Sequence, residues 1–353
     1  MNKNNPLIKD VRLTETQSLV TPQQLQSELP VTDRVAQVVY NTRRSIESIL
    51  TGETNKLLVI CGPCSVHDPK AGLDYAQRLL QLRQRYSDQL ELVMRVYFEK
   101  PRTRTGWKGL INDPNLNDSY NVNQGLHTAR QLLINIGELG LPVATEFLEP
   151  ITPQYIAELV SWGCIGARTV ESQVHRQMAS GLSCPIGFKN TTKGSIQEAV
   201  DAIVSAQGCH TFFAVTDSGQ VAVLTSSGNH ACHLILRGGT EPNYSRMHID
   251  QAAKLLENNQ LCTKIMVDVS HANSQKDAGR QPVIIKDLCQ QVLEGQPYLG
   301  GVMIESFIVG GNQNIANRPL TYGQSITDAC ISWEQTEETL ELLANTWAQK
   351  TDL

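Results

Sequence analysis

The stretch Arg95-Val-Tyr-Phe-Glu-Lys-Pro-Arg-Thr103 places three cations and a hydroxyl directly behind the apolar run 90–94. Three further apolar runs end in a cation: Ile165-Gly-Ala-Arg168, Ile186-Gly-Phe-Lys189 and Leu234-Ile-Leu-Arg237. A guanidinium offers a planar fork to phosphate or carboxylate, whereas an ammonium acts as a compact point charge. Arg95, Arg168, Lys189 and Arg237 therefore suit one phosphate and one carboxylate, and Lys100, Arg102 and Thr103 in one loop suit a second phosphate. A single arginine of this kind reads as a solvated or salt-bridged side chain. The repetition points to a polyanionic, phosphorylated substrate.

A second set is of another kind. Cys64, His271, Glu305 and Asp328 offer a thiolate, an imidazole and two carboxylates, a mixed set suited to a divalent first-row metal such as Mn, Fe, Co or Zn. Their separation along the chain is long, so only the fold can unite them. Cys61-Gly-Pro-Cys64 has the spacing of a zinc half-site or a redox pair. No second Cys-x-x-Cys accompanies it, and Cys61 falls inside an apolar run, where burial is the usual fate of a cysteine. Cys64 follows Gly62-Pro63, where the chain turns outward.

Elements able to position these residues are visible in the hydrophobic pattern. Strands are expected at 57–62, 90–97, 142–146, 164–167, 185–188, 233–237, 264–270 and 300–305. Helical periodicity runs over 71–85, 126–136, 153–161 and 195–206, with a helix start at Thr21-Pro22 and a further helix over 33–50. Eight strands with intervening helices specify an α/β chain folded as a (β/α)8 TIM barrel, whose active face lies at the C-terminal strand ends. Those ends are Cys64, Arg95, Glu146, Arg168, Lys189, Arg237, His271 and Glu305, every one reactive or charged. The runs 211–215 and 220–224 flank Asp217-Ser-Gly219 and read as a β-hairpin inserted at about 209–226, before the sixth barrel strand. Residues 1–50 read as an N-terminal extension for oligomer and regulatory contacts, and 51–353 as the catalytic barrel.

Composition narrows the function. The net charge of the 353-residue chain is −5, so the cation cluster is local and is not a nucleic-acid surface. No apolar run approaches the ~20 residues that span a membrane. The N-terminal Met1-Asn-Lys-Asn-Asn-Pro6 lacks the apolar core of a secretory signal. Nine cysteines, an odd and scattered number, suit reduced thiols in a cytoplasmic protein. Neither a phosphate-binding Gly-x-x-x-x-Gly-Lys-Ser/Thr nor a dinucleotide Gly-x-Gly-x-x-Gly follows the first strand, which argues against an NTPase or a dehydrogenase. No organic cofactor is expected.

Several blocks resemble the type I, feedback-regulated microbial 3-deoxy-D-arabino-heptulosonate 7-phosphate (DAHP) synthases. They include Cys61-Gly-Pro-Cys-Ser-Val-His-Asp68, Met94-Arg-Val-Tyr-Phe-Glu-Lys-Pro-Arg-Thr103, Gly106-Trp-Lys-Gly-Leu-Ile-Asn-Asp-Pro114, Asp268-Val-Ser-His-Ala-Asn273 and Tyr322-Gly-Gln-Ser-Ile-Thr-Asp-Ala-Cys330, and the likeness spans nearly the whole chain. The resemblance implies condensation of phosphoenolpyruvate with erythrose 4-phosphate, with release of phosphate. It implies Cys64, His271, Glu305 and Asp328 as metal ligands. Arg95, Lys100, Ala167, Arg168, Lys189 and Arg237 would bind phosphoenolpyruvate, and Arg102 and Thr103 the sugar phosphate. Lys100 is the candidate proton donor to the new alkoxide, with Glu146 and a metal-bound water as the competing groups. Feedback by an aromatic amino acid and assembly as a homodimer or homotetramer are implied as well. Effector positions would be Glu149, Pro150, Gln154, Leu182, Ser183, Phe212 and Ala214. The methyl of Ala214 leaves room for a phenol, which leans toward tyrosine and leaves tryptophan open. Two rival readings are a Schiff-base aldolase with Lys189 as nucleophile and a non-catalytic phosphosugar-binding barrel. The first requires a desolvated, uncharged lysine; the second has no need of the metal set.

Overall fold

A computed structural model of the chain describes residues 8–102, 104 and 106–350. Two helices lead in, α1 (Pro22–Glu28) and α2 (Asp33–Thr51). Then follow β1 (Leu57–Gly62), α3 (Pro69–Arg85), β2 (Leu90–Arg95), α4 (Val122–Leu139), β3 (Val143–Glu146), α5 (Pro153–Ile156), β4 (Trp162–Ile165), α6 (Gln173–Gly181), β5 (Ile186–Lys189) and α7 (Gln197–Gln207). The hairpin β6 (Thr211–Val215) and β7 (Val221–Thr225) precedes β8 (Cys232–Leu236), α8 (Arg246–Asn258), β9 (Ile265–Asp268), α9 (Gln281–Leu293) and β10 (Leu299–Glu305). A short pair, β11 (Val309–Asn312) and β12 (Gln324–Ser325), and the last helix α10 (Trp333–Lys350) complete the order.

Eight strands close into a parallel barrel in the order β1-β10-β9-β8-β5-β4-β3-β2. Every residue of β1, β2, β8 and β10 is buried, as expected of Leu/Ile/Val-rich strands covered on both faces. The helices cover the barrel with one apolar stripe each. In α3 the Asp68 carboxylate accepts from Lys70 N and Ala71 N, Pro69 sets the first turn, and Tyr75, Ala76, Leu79 and Leu82 face inward. Arg83 and Arg85 in its last turn complement the helix dipole. A Leu79→Ala change there would cost about 2–5 kcal/mol. At the opposite end of the barrel from the strand C-termini, α2 plugs the base with Ile46, Ile49 and Leu50, packed on Leu58, Ile60 and Trp162.

The strands stop sooner than hydrophobicity predicts. The runs expected at 90–97 and 264–270 end at Arg95 and Asp268, and the fourth strand is Trp162–Ile165 instead of 164–167. Apolar composition continues past the last ladder pair, since Val96 and Tyr97 stay buried beyond the end of β2. Val96 N still reaches Ala144 O at 2.8 Å, but the residues after it turn onto the mouth. The helix expected over 153–161 is one α-turn followed by a 3₁₀ turn, Ala157–Leu159. The hairpin appears where expected, with its second arm one residue later and Ala214 opposite Ala222. Among the described residues, no helix is long and apolar enough to cross a membrane.

Candidate active site

A cavity opens at the C-terminal ends of the strands, lined by Lys100, Arg102, Glu146, Ala167, Arg168, Lys189, Arg237, His271, Glu305 and Asp328, among others. Of the eight strand ends singled out, Cys64 and Arg95 lie beneath the mouth, 0% and 1% exposed. The other six line the cavity itself. Thr103, expected to hold a phosphate, lies outside the described residues.

Two excursions of chain build the metal set. β1 ends at Gly62 and the chain turns at Pro63 to present Cys64. After β10 a long loop folds back on itself, with Phe307 N on Ile331 O at 3.0 Å and Ile331 N on Glu305 O at 3.0 Å, and so carries Asp328 over Cys64. Cys64 Sγ and carboxylate oxygens of Glu305 and Asp328 all lie within 4.8 Å of one another. The Cys64 thiol donates to Asp328 Oδ2 at 3.6 Å. His271 stands at the edge of this trio, its Nε2 3.7 Å from Glu305 Oε1. Burial and the neighbouring Glu305 carboxylate push the Cys64 thiol up to about 11. Burial also works against the Asp328 carboxylate, but Lys100 and His271 hold it below its ordinary range. Anionic donors this close call for a cation, and a divalent metal would reverse the effect on the thiol. The donor set fits such an ion.

Lys100 is buried against the same trio, its Nζ donating to Cys64 O and Cys64 Sγ, both at 3.1 Å. Burial opposes its charge, yet the Cys64 sulfur, with Glu305 and Glu146, outweighs that and raises its pKa. Arg95 ties the protein together beneath the mouth. It donates from Nη2 to Glu305 Oε1 at 3.0 Å and to Cys64 O at 3.2 Å, and from Nε to Pro63 O at 3.1 Å. Its guanidinium also lies 3.6 Å over the Tyr97 ring. Arg95 thus braces two of the ligand-bearing segments from below.

The opposite wall is cationic. Burial draws the Arg237 guanidinium downward, and the nearby charge of Arg168 adds to that; an anion seated against both would relieve the repulsion. Lys189 is held by Asp268, Nζ to Oδ2 at 2.8 Å. Asp268 has no assigned role in the sequence reading, yet it is the hinge of the site. The same Oδ2 lies 2.9 Å from His271 Nδ1, and Oδ1 accepts from Ser270 Oγ at 2.6 Å and Ser270 N at 3.0 Å. Burial would raise its pKa, but His271 and Lys189 hold it well below the usual carboxylate range. By taking Nδ1, Asp268 leaves Nε2 of His271 to face the thiol and carboxylates. The available signal was its place as last residue of β9, three before His271. Glu146 enters the cavity because residue 166 is glycine: a Cβ there would stand 2.0 Å from Glu146 Oε1.

A second cavity, of about 500 Å³, lies between the hairpin and α5–α6. Pro150, Gln154, Leu182, Ser183, Phe212 and Ala214 line it, whereas Glu149 is exposed beside it and outside the lining. Thr152 connects this region to the first site through Glu99, Oγ1 to Oε1 at 3.3 Å, next in sequence to Lys100.

The model of the DAHP synthetase I family matches residues 27–341. The chain is 52% identical over 337 residues to the Phe-sensitive phospho-2-dehydro-3-deoxyheptonate aldolase of Escherichia coli (strain K12), covering 95% of this chain and 96% of that one. It is 52% identical to the Trp-sensitive enzyme of the same strain, covering 95% and 97%. A solved structure of phospho-2-dehydro-3-deoxyheptonate aldolase from Francisella tularensis SCHU S4 superposes with a TM-score of 0.94 at 47% identity, covering 96% of this chain and 99% of that one.

Proposed function

This chain belongs to the DAHP synthetase I family, and from that premise we propose how its residues carry the family's reaction. The chain is an enzyme that joins phosphoenolpyruvate, erythrose 4-phosphate and water to give DAHP and phosphate, the first step toward the aromatic amino acids, under aromatic feedback. The observation that carries the assignment of roles is one juxtaposition. Cys64, Glu305 and Asp328 converge within 4.8 Å, next to buried Lys100 and across from Arg168, Lys189 and Arg237.

Cys64, His271, Glu305 and Asp328 would hold a divalent metal, which supplies Lewis-acid polarisation of the aldehyde oxygen. Arg168, Lys189 and Arg237 seat the phosphate and carboxylate of phosphoenolpyruvate, and Arg102 the phosphate of the sugar. The methylene carbon of phosphoenolpyruvate attacks the aldehyde carbon, forming the new carbon–carbon bond. Lys100 delivers a proton to the resulting alkoxide. Water adds at the adjacent carbon, and Glu146, which lines the same cavity, accepts its proton in this reading. Carbon–oxygen cleavage then releases phosphate and leaves the ketone, while the cationic wall stabilises the charge that moves onto phosphate.

Lys189 Nζ is held 2.8 Å from the Asp268 carboxylate, a contact that weighs against the Schiff-base reading. Borohydride added with both substrates should leave Lys189 unmodified, while one phosphate appears per phosphoenolpyruvate consumed. A reduced adduct on Lys189 would overturn the assignment. The cavity beneath the hairpin is the effector site in this reading, and tyrosine is expected to inhibit more strongly than phenylalanine or tryptophan. Residues 1–50 serve subunit and regulatory contacts in a homo-oligomer. The exposed Ile8, Val11 and Leu13 of the arm and Phe213, Val221 and Val223 of the hairpin support that assignment.

A further inference from the structure

The main chain of Glu305 is held differently on its two sides. Toward β1 it is an ordinary ladder residue, opposite Gly62. Toward β9 the ladder has already stopped, at the pair Met303 and Asp268. There the side-chain amide of Gln281 stands in for the missing strand. Its Nε2 donates to Glu305 O at 3.0 Å, and its Oε1 accepts from Glu305 N at 2.9 Å. Only one orientation of the amide satisfies both bonds, because the flipped group would set donor against donor and acceptor against acceptor. Gln281 is 1% exposed and is the first residue of α9. Without it the buried Glu305 N–H would have no partner, since the carbonyl alone is served a second time, by Ile331 N at 3.0 Å.

We propose that Gln281 is a positioning residue for the metal set. It clamps the main chain of Glu305 so that the carboxylate stays against Arg95 and beside Cys64 and Asp328. The inference rests on the reading of Cys64, His271, Glu305 and Asp328 as metal ligands. The loop after β9 then serves two of those ligands: it begins near His271 itself and ends at the residue that fixes Glu305. Metal sites tolerate only a few tenths of an ångström of ligand displacement. Without Gln281 the Glu305 N–H loses its hydrogen bond, and the bond from Ile331 N to the carbonyl is left to hold that main chain on the β9 side.

The test compares wild type, Gln281→Met and Gln281→Glu. Cobalt(II) affinity is measured by competition with a chromophoric chelator, the thiolate-to-cobalt absorption band is recorded, and phosphoenolpyruvate binding to metal-free protein is followed by calorimetry. Gln281→Met should weaken cobalt binding by about 10–100-fold and shift the band, with phosphoenolpyruvate affinity unchanged. Gln281→Glu keeps an acceptor for the Glu305 N–H and loses the donor, so it should fall between, and it decides the question if the methionine variant does not fold. Wild-type cobalt affinity and an unshifted band in either folded variant would overturn the proposal. So would a parallel loss of cobalt and phosphoenolpyruvate binding, which marks a general structural role. Failure of the wild type to bind cobalt would sink the ligand assignment beneath it.

Discussion

Replacing Asp268 by asparagine removes one charge and little volume, and both halves of the site depend on that charge. Lys189 Nζ lies 2.8 Å and His271 Nδ1 2.9 Å from its Oδ2. The side chains of Lys189 and Asp268 are 5% and 0% exposed, so water cannot replace the lost partner. Breaking a buried pair by removing one member costs about 3–5 kcal/mol. In a chain of 353 residues that lowers Tm by about 4–7 °C. His271 also loses the group that orients it, so metal affinity should fall about 10–100-fold. The pH dependence carries a signature. Native Asp268 is held well below its usual 3.8, so its stabilisation is complete above that value and is lost as pH falls through the native pKa. Asp268→Asn should therefore lose less stability than wild type on acidification below about 4. Calorimetric melting across a pH series and the metal retained after gel filtration supply the readouts. A variant with wild-type Tm and wild-type metal content would refute the role given to Asp268.

Lys189→Met should raise KM for phosphoenolpyruvate more than for erythrose 4-phosphate, and Arg102→Ala should do the reverse; steady-state kinetics with each substrate varied would expose equal effects, which contradict two separate anion sites. Burial and the charge of Glu149 push Glu99 up to about 8, so the stability tied to its bound proton is present below pH 4.5 and is lost as pH rises through 8. Glu99→Gln, neutral throughout, should flatten that decline in Tm, and an unaltered slope would count against it. Cys330 Sγ accepts from Cys64 N at 3.4 Å, and both thiols are free. Metal-stripped enzyme should thus inactivate in air faster than loaded enzyme, with a Cys64–Cys330 disulfide in peptide maps; free thiols in the inactivated protein would exclude that route.

Which residues were legible follows from how each is held. Arg168, Lys189, Arg237, His271 and Glu305 end or follow apolar runs, and the continuous apolar run followed by a charge is a local signal that the barrel translates into a shared face. The eight-strand order and the hairpin were readable for the same reason. Strand limits were not, because Val96 and Tyr97 are as apolar as ladder residues while sitting past its end. Arg95 shows the limit of residue type. Its charge marks it for an anion, but residue type does not show that its donors also reach Pro63, Cys64 and Glu305 through the long-range closure of β1, β2 and β10. Asp268 and Gln281 act on other residues' atoms, and a side chain whose partner is distant in sequence leaves no mark in local pattern; Lys189 is 79 residues from Asp268, and Glu305 is 24 from Gln281. Even the nearby His271 is reached only because the turn after β9 folds back.

With Cys64, His271, Glu305 and Asp328 holding a divalent ion as proposed, the condensation is metal-dependent. Phosphate release from phosphoenolpyruvate in the presence of erythrose 4-phosphate is the direct measurement, made on the same preparation before chelation, after exhaustive chelation, and after adding back Mn(II). Release should stop on chelation and return with the metal, and Cys64→Ala should stay inactive and metal-free with its barrel intact. Full turnover by the chelated enzyme, or by a Cys64→Ala protein that still holds its metal, would contradict the account.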